Sequence, residues 1–532
     1  MLKFESLKRS DENLNNKKEY LDDLNNTKLS LRKIRNNSQI KRKRDYILFH
    51  INEIETSNVY KQFQFQIINF DVSFNVIQNY LNSDKLDLIS YCLREISIYF
   101  EYNPPNIKEQ KKIIETEFLN ILLNLGNKFI CEKNFFDLLI ILRILINITY
   151  FEEGNKEYFK DIYSNKFFTF YNKCLDCANK KNDEEILNKI YTKIVSIFNV
   201  MMYYDCTENF FLNLVFLRSP VFFQILLLFD KIETKEIEVI KSTIELINFT
   251  VNLQDSEEEI FDENDIKVIN KCLDILTNEL YSRNKEDLLV LIFEAISHIS
   301  NLDDEYKFNS KILNEGITLK ILKMKFENNK LTKNYLKIVK YSMRILANNL
   351  TLSDKNCQLL YDQNIIYYYN NILDKFDDYE SIVEAILLGL VNISIGSKYT
   401  VLKESVIWEK KNMEKYLNFS DGIKIAFIKI IKYLLYKHNQ DIFQFLYEKK
   451  ILEYLMHIFV SYNIGKIVCY KILELIDYYL SIFNKQLKQT NEYLIIYGKF
   501  KDIFQYSEKI LLLNEEHNNI PDIVKRIKNN YE

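Results

Sequence analysis

Six short segments of the sequence carry a polar side chain at the same place in an apolar pattern, as in "LINIT" at Leu145 and "LVNIS" at Leu390. Five of the six polar residues are Asn, and successive members lie 52, 49, 50, 50 and 44 residues apart. An Asn side chain offers both a donor and an acceptor, so a regular column of them could hydrogen-bond to the backbone of an extended peptide. The six residues are Asn147, Asn199, Asn248, His298, Asn348 and Asn392, and weaker copies centre on Leu435 and Asp477.

A second chemically distinctive group is basic and lies near the N-terminus, in "LRKIRNNSQIKRKRD" from Leu31 to Asp45. Residues 1–50 hold 13 Lys/Arg and 7 Asp/Glu, a net charge of +6, whereas the whole chain carries −3, so the remainder carries −9. A basic arm on an acidic body favours an intramolecular contact or an acidic partner over nucleic acid. On charge alone, a solvated basic tail or a localisation signal of the protein itself is an equal alternative. The basic residues are Arg32, Lys33, Arg35, Lys41, Arg42, Lys43 and Arg44.

Residue patterns for catalysis or metal binding are missing from the sequence. The five His residues lie far apart without HExxH spacing, and no GxxxxGK[ST], GxGxxG or GxSxG motif occurs. Cys174 and Cys177 form one CxxC pair, but no second pair lies at metal-ligand spacing. The scattered cysteines fit reduced thiols in a reducing compartment. We therefore predict a protein that is not an enzyme and has no catalytic residues, metal or cofactor.

The elements that position the Asn column are predicted to be helices. The chain is 47% hydrophobic and 27% charged, which indicates a folded soluble protein, and its 8 Gly and 4 Pro are too few for a turn-rich sheet protein. Each Asn-containing segment ends an apolar helical pattern, and the interval is close to the roughly 40–47 residues of armadillo and HEAT repeats. Gly316 and Asn364 occupy matching places where a left-handed residue would end a helix. Stacked repeats would share one core and present an extended concave groove.

Neither a signal peptide nor a membrane span is predicted. The opening residues lack an apolar core region. The most apolar stretch, Phe211 to Phe229, contains Asn213, Arg218 and Pro220, which favours a buried helical hairpin over a transmembrane segment.

The sequence resembles the importin-α (karyopherin-α) family of nuclear import adaptors, as a divergent member. The basic arm is similar to the family's importin-β-binding segment, and "YLNSDKLDLISYCLREISIYFEYNPPNI" is similar to its first repeat, with the Asn103-Pro104-Pro105 turn. The stretch "FQFLYEKKILEYLMHIFVSYNIGKIVCYKILELIDYYL" resembles the last repeats, and "NEEHNNIPDIVKRIKNNY" resembles the closing helix pair. No single motif is decisive, but their order and spacing span nearly the whole chain.

The resemblance implies an all-α, armadillo-repeat, right-handed superhelical solenoid of about ten repeats. It implies an importin-β-binding (IBB-like) arm over residues 1–58 and a solenoid over residues 70–532. The expected function is nuclear import: the groove binds nuclear localisation signals of cargo, and the arm binds importin-β and can fold back into the groove. An export receptor would recycle the adaptor, which would shuttle between cytoplasm and nucleus without membrane or direct nucleic-acid binding.

The resemblance also implies the cargo site. In the family a Trp stands four residues before each Asn and forms slots for Lys and Arg stems. Here those positions hold Arg143, Val195, Ile244, Glu294, Arg344 and Leu388, of which Arg344 matches what the family commonly carries. Asn348 with Asp354 matches the Asn/Asp pair of the minor site. At the major site, Tyr203 stands where the family has an acid, and Asp205 lies two residues further on. The only Trp, Trp408, lies outside the column and is expected in the core or on the surface. Cargo binding is thus expected to be weak or altered, and a derived armadillo scaffold is the alternative function. The expected cargo-binding residues are Asn147, Asn199, Asn248, Arg344, Asn348, Asp354 and Asn392.

Overall fold

Helices make up all the regular secondary structure in the described part of the chain, and no strand occurs there. This confirms the predicted all-α fold class. The structure, a computed structural model, describes residues 67, 70–103, 105–149, 165–181, 183–205, 210–232, 235–253, 261–302, 308–327, 332–350, 354–416, 418–437, 439–460 and 466–487.

The chain divides into two compact units, Met1–Phe170 and Tyr171–Glu532. The division falls inside one helix, Asn165–Lys181. The arm, residues 1–58, lies outside the described residues and stays a prediction.

The first unit contains two helices that pack against each other, α2 (Leu86–Tyr102) and α5 (Phe135–Thr149), and each corresponds to the last helix of a repeat. Around α2, the ring centroid of Phe70 lies 4.7 Å from that of Phe100 and 5.3 Å from that of Phe118. Burial of each such side chain contributes about 1.5–3 kcal/mol, so these rings hold the unit together. The helices are α1 (Phe70–Leu81), α2 (Leu86–Tyr102), α3 (Ile107–Glu115), α4 (Phe118–Glu132) and α5 (Phe135–Thr149).

Most repeats of the second unit end in a helix that is longer than the helices before it, whereas in one repeat the long helix Glu263–Ser282 precedes the shorter Glu286–Ser300. Two 3-10 helices, Tyr399–Glu404 and Val406–Trp408, interrupt one repeat. The helices are α6 (Asn165–Lys181, which crosses the division), α7 (Glu184–Asp205), α8 (Phe210–Leu217), α9 (Pro220–Lys231), α10 (Ile237–Val251), α11 (Glu263–Ser282), α12 (Glu286–Ser300), α13 (Phe308–Asn314), α14 (Ile317–Lys323), α15 (Lys333–Asn349), α16 (Asp354–Asp362), α17 (Ile365–Phe376), α18 (Glu380–Ile395), α19 (Lys410–Tyr416), α20 (Asp421–Tyr436), α21 (Gln440–Glu448), α22 (Ile451–Val460) and α23 (Lys466–Leu487).

The third helices of the second unit form one layer, because each packs against the third helix of the next repeat. They are α7, α10, α12, α15, α18, α20 and α23. The six segments found in the sequence fall in α5, α7, α10, α12, α15 and α18, close to the end of each helix. The interval in the sequence is therefore the structural repeat, as predicted.

Residues in the left-handed conformation separate short helices, as predicted for Gly316 and Asn364. Gly316 has φ 75° before α14, and Asn364 has φ 56° before α17. Asn364 also caps α17, because its Oδ1 accepts from the Tyr367 N–H at 3.4 Å. Both residue types adopt this conformation at low cost, so they reverse the chain between helices.

The apolar stretch from Phe211 to Phe229 forms the predicted helical hairpin, α8 and α9. Ser219 accepts from the Phe222 N–H at 3.3 Å as N-cap, and Pro220 takes the first helical position. Arg218 extends from the turn to Asp265, with nitrogen–oxygen distances of 3.1 and 2.9 Å. Among the described residues, no helix combines the length and the apolar character needed to cross a membrane.

Trp408 belongs to the core. Only 2% of its surface is exposed, and its Nε1–H donates to the Leu402 carbonyl at 2.7 Å. The rings of Phe427 and Phe445 both lie 5.6 Å away by centroid. The single tryptophan thus serves packing in the repeat that the 3-10 helices interrupt.

Candidate peptide-binding face

The third helices of the second unit expose one stripe of side chains, called here the third-helix face. On α15 this stripe contains the half-buried Lys340, Arg344 and Asn348, spaced four residues apart. On α18 the equivalent positions are Glu384, Leu388 and Asn392. Residues four apart lie on one side of a helix, so amide, charged and apolar groups alternate along the layer. The structure thus brings the predicted residues Arg344, Asn348 and Asn392 to adjacent helices of one face.

The Asn column connects neighbouring third helices, a role that the sequence analysis missed. Each Asn donates from Nδ2 to the helix before or after its own, whereas a peptide-binding amide would direct its groups outward. One such bond uses one of the two N–H donors of an Asn amide. The bonds run from Asn147 to the Ser97 carbonyl (3.2 Å), from Asn199 to the Ser242 carbonyl (2.8 Å), from Asn248 to Glu294 Oε2 (3.2 Å), from Asn348 to Ser300 Oγ (2.9 Å) and from Asn392 to the Ala347 carbonyl (2.8 Å).

Exposure differs along the column. Asn199 is buried, with 7% of its surface exposed, whereas Asn147, Asn248, Asn348 and Asn392 are half-buried. Within the described chain, the Oδ1 atoms of Asn199 and Asn248 are enclosed without a hydrogen-bond partner. The amide of Asn199 therefore serves the contact between α7 and α10 and does not face a ligand in this conformation.

The residues at the family's Trp positions do not form slots for Lys or Arg stems. Val195 and Ile244 are buried in the core. The half-buried residues nearest the surface of α7 and α10 at this level are Ser196 and Glu245, three residues before the Asn. A helix has 3.6 residues per turn, so a small rotation moves its exposed stripe from the fourth to the third position.

The polar residues at the other Trp positions are largely engaged within the fold. Arg143 forms a buried ion pair with Glu101 of α2, inside the first unit. Glu294 accepts from the Tyr341 hydroxyl and from Asn248. Leu388 differs, because 42% of its surface is exposed. Arg344 and Leu388 are thus the two of these residues that present side chains on the third-helix face.

The centre of the third-helix face is electrostatically mixed. Burial lowers the pKa of His298, and Arg344 and Lys340 lower it further while Glu294 opposes them. Burial also lowers the pKa of Lys340, with Arg344 adding to the effect. An imidazole with a lowered pKa is neutral at physiological pH. The described residues of this region therefore lack the acidic excess expected for a site that binds Lys- and Arg-rich peptides.

Several predicted site residues cannot be placed on this face. Asp354 begins α16, and Tyr203 and Asp205 belong to the last turn of α7, but their side chains lie outside the described part of the structure. The arm residues lie outside it altogether. They are Arg32, Lys33, Arg35, Lys41, Arg42, Lys43 and Arg44.

In the described ranges, no group of three or more His, Cys, Asp or Glu side chains is arranged to hold a metal ion. Cys174 of the CxxC pair lies in the core of α6. Burial raises the pKa of its thiol well above the ordinary value, which disfavours the thiolate that a ligand or nucleophile needs.

The helical repeats and their third-helix layer define an armadillo-like repeat fold. Solved structures agree with this class. An engineered protein matches with a TM-score of 0.59 and 12% identity, over 86% of this chain and 98% of its own. A structure from work on a phosphorylation switch that controls the interaction between cadherin and β-catenin matches with a TM-score of 0.50 and 10% identity, over 88% of this chain and 92% of its own.

A structure of importin β also matches, with a TM-score of 0.40 and 13% identity, over 87% of this chain and 52% of its own. No protein-family description and no curated protein matches the sequence. The resemblance to importin-α therefore rests on the sequence patterns alone.

Proposed function

We propose that the chain is a protein-interaction scaffold that binds extended segments of partner proteins along the third-helix face. The observation that carries this proposal is the register of α15 and α18. Each helix presents an Asn and, four residues before it, a second side chain. This is the half-buried Arg344 on α15 and the exposed Leu388 on α18. An extended peptide needs backbone partners and side-chain contacts at regular spacing; the amide groups of Asn392 that its bond to Ala347 does not use would supply the first, and Arg344 and Leu388 the second.

A test of this proposal selects peptides from a phage-displayed random library on the full chain and measures their affinity by fluorescence anisotropy. We expect Leu388→Glu to weaken the selected peptides by about tenfold, because it places a charge within the apolar part of the face. Leu359→Glu is the matched control, since Leu359 is 39% exposed but lies on α16, outside the third-helix layer. Selected peptides that bind both variants equally well would contradict the proposal.

The second candidate is the nuclear import adaptor that the sequence resemblance implies. It would bind localisation signals on the same face, bind importin-β through its basic arm, return with an export receptor and shuttle between cytoplasm and nucleus. The occurrence of Asn near the end of the third helices α7, α10, α15 and α18 supports this candidate. The positions of Val195 and Ile244 in the core and the ion pair of Arg143 count against ordinary cargo affinity. Each lost cation–π contact weakens binding by about 0.5–2 kcal/mol.

Titration with a fluorescent Lys/Arg-rich localisation-signal peptide separates the two candidates. We expect weak binding by the full chain, because the aromatic slots are missing. The same titration is repeated with Lys41, Arg42, Lys43 and Arg44 all replaced by Ala, which removes any competition from the arm. Submicromolar binding by this variant would refute the expectation of altered cargo binding and establish the adaptor as the better candidate.

A further inference from the structure

Aromatic rings and lysines gather on the third-helix face of α20 and α23, in a group called here the tyrosine–lysine cluster: Lys429, Lys432, Tyr433, Tyr436, Lys437, Lys471 and Tyr478. The ring of Tyr436 lies 4.5 Å from that of Tyr478 and 6.4 Å from that of Tyr433 by centroid. Lys432 Nζ lies 5.6 Å from the Tyr436 ring centre. The cluster therefore has an aromatic centre fixed by packing and a cationic surround.

Apolar side chains at the cluster are exposed. Tyr436 is 41% exposed, and Ile395, at the end of the neighbouring helix α18, is 50% exposed. Lys437 follows Tyr436 in the sequence, and its Nζ donates to the Ile395 carbonyl and lies 5.4 Å from the Tyr399 ring centre. A contiguous apolar patch with a charged rim is typical of a surface that contacts another protein.

The charge of the cluster is opposite to that of the chain outside its N-terminal arm. Glu474 lies 3.4 Å from Lys432 and 3.8 Å from Lys471, so this one carboxylate faces two ammonium groups. Asp477, one helical turn after Glu474, is the other carboxylate of this stretch of α23. Lys429 is exposed and forms no ion pair within the described chain. Four lysines against two carboxylates leave an excess of positive charge.

We propose that the tyrosine–lysine cluster binds an acidic segment of a partner protein. Carboxylates of the segment would contact Lys429 and Lys437, and an apolar side chain would pack on Tyr436 and Ile395. This inference rests on the proposed function, and it gives that function a ligand chemistry opposite to a basic localisation signal. Opposite charges around an apolar centre supply orientation and affinity together.

The surface fits an acidic peptide better than nucleic acid. Stacked bases need an accessible aromatic face. The Tyr436 ring is in a T-shaped contact with Tyr478, and the ammonium group of Lys432 lies over one of its faces. The aliphatic Ile395 offers no stacking, and the carboxylates of Glu474 and Asp477 would repel a phosphate backbone.

The probe is a fluorescein-labelled peptide of Asp and Glu with a central Phe and Leu, titrated against the full chain. A peptide with Asn and Gln in place of the acids is its control. We expect the acidic peptide alone to bind, and its affinity to fall as salt screens the charges. Lys429→Glu and Tyr436→Ala should each weaken binding by about tenfold. Lys410→Glu, an equal charge change at a side chain on α19 that is 87% exposed, should leave the affinity unchanged.

Three results would overturn the inference. In the first, the acidic peptide does not bind. In the second, Lys410→Glu weakens binding of the peptide as much as Lys429→Glu does, which would indicate unspecific attraction. The third is displacement of the peptide by a single-stranded DNA oligonucleotide that itself binds more tightly, which would indicate a nucleic-acid surface. If any of these occurs while library-selected peptides still depend on Leu388, the proposed scaffold function stands and the inference about its ligand alone has failed.

Discussion

Arg143→Ala is expected to lower the free energy of unfolding of the first unit by about 3–5 kcal/mol, because it leaves the buried carboxylate of Glu101 without its counter-charge. The ion pair joins α5 to α2, and the two side chains are 14% and 7% exposed. Hydrogen exchange of peptides from Leu86–Tyr102 and Phe135–Thr149 measures the effect where it arises. This local measurement reports on the first unit by itself, whereas a single melting temperature would combine the stabilities of both units.

The control for this prediction replaces both partners. Arg143→Met combined with Glu101→Leu removes the two charges and fills similar volume with apolar atoms, which is often neutral for a buried pair. We expect the double variant to recover most of the protection lost in Arg143→Ala. A single variant that exchanges like the wild type, or a double variant that is equally destabilised, would show that the ion pair does not hold α2 and α5 together.

Trp408→Ala is expected to destabilise the second unit by about 3–5 kcal/mol, since it creates a large cavity between Phe427 and Phe445. Hydrogen exchange of peptides from Val406–Trp408 and Asp421–Tyr436 measures the change within the second unit. Trp408→Phe is the control, because it keeps an aromatic ring but removes one of the two hydrogen bonds that the Leu402 carbonyl accepts, the other coming from the Ser405 N–H. We expect that variant to lose about 0.5–1.5 kcal/mol. Equal stability of wild type and Trp408→Ala would contradict the assignment of Trp408 to the core.

The sequence sufficed to predict features that depend on local pattern. The repeat interval, the helix ends at Gly316 and Asn364 and the hairpin around Pro220 all follow from residue types within a short window. The rotation of each third helix about its axis does not follow from residue types within a short window. Whether Val195 faces the core or the groove depends on how α7 packs against its neighbours, and a shift between the third and fourth positions is too small for periodicity to resolve.

Contacts between repeats also could not be predicted from the sequence. Arg143 and Glu101 are 42 residues apart, and Tyr341 and Glu294 are 47 residues apart. One charged residue in a helix has many possible partners at such distances, so its pairing emerges only when the helices are stacked. The tyrosine–lysine cluster was missed for a related reason. Its lysines belong to separate stretches, and the net charge of −9 outside the arm conceals a local excess of the opposite sign.

The Asn bonds between third helices explain why one member of the column tolerates a different residue. Asn199 and Asn248 donate forward to the next helix, whereas Asn348 and Asn392 donate backward. Five successive helices, from α7 to α18, have four junctions, and each junction already has one amide bond. The repeat of His298, where the direction reverses, receives a bond from each side and needs no amide of its own. Five helices that are joined by one amide bond per junction need only four Asn residues. The fifth position therefore does not need an amide, and it is the position that His298 occupies.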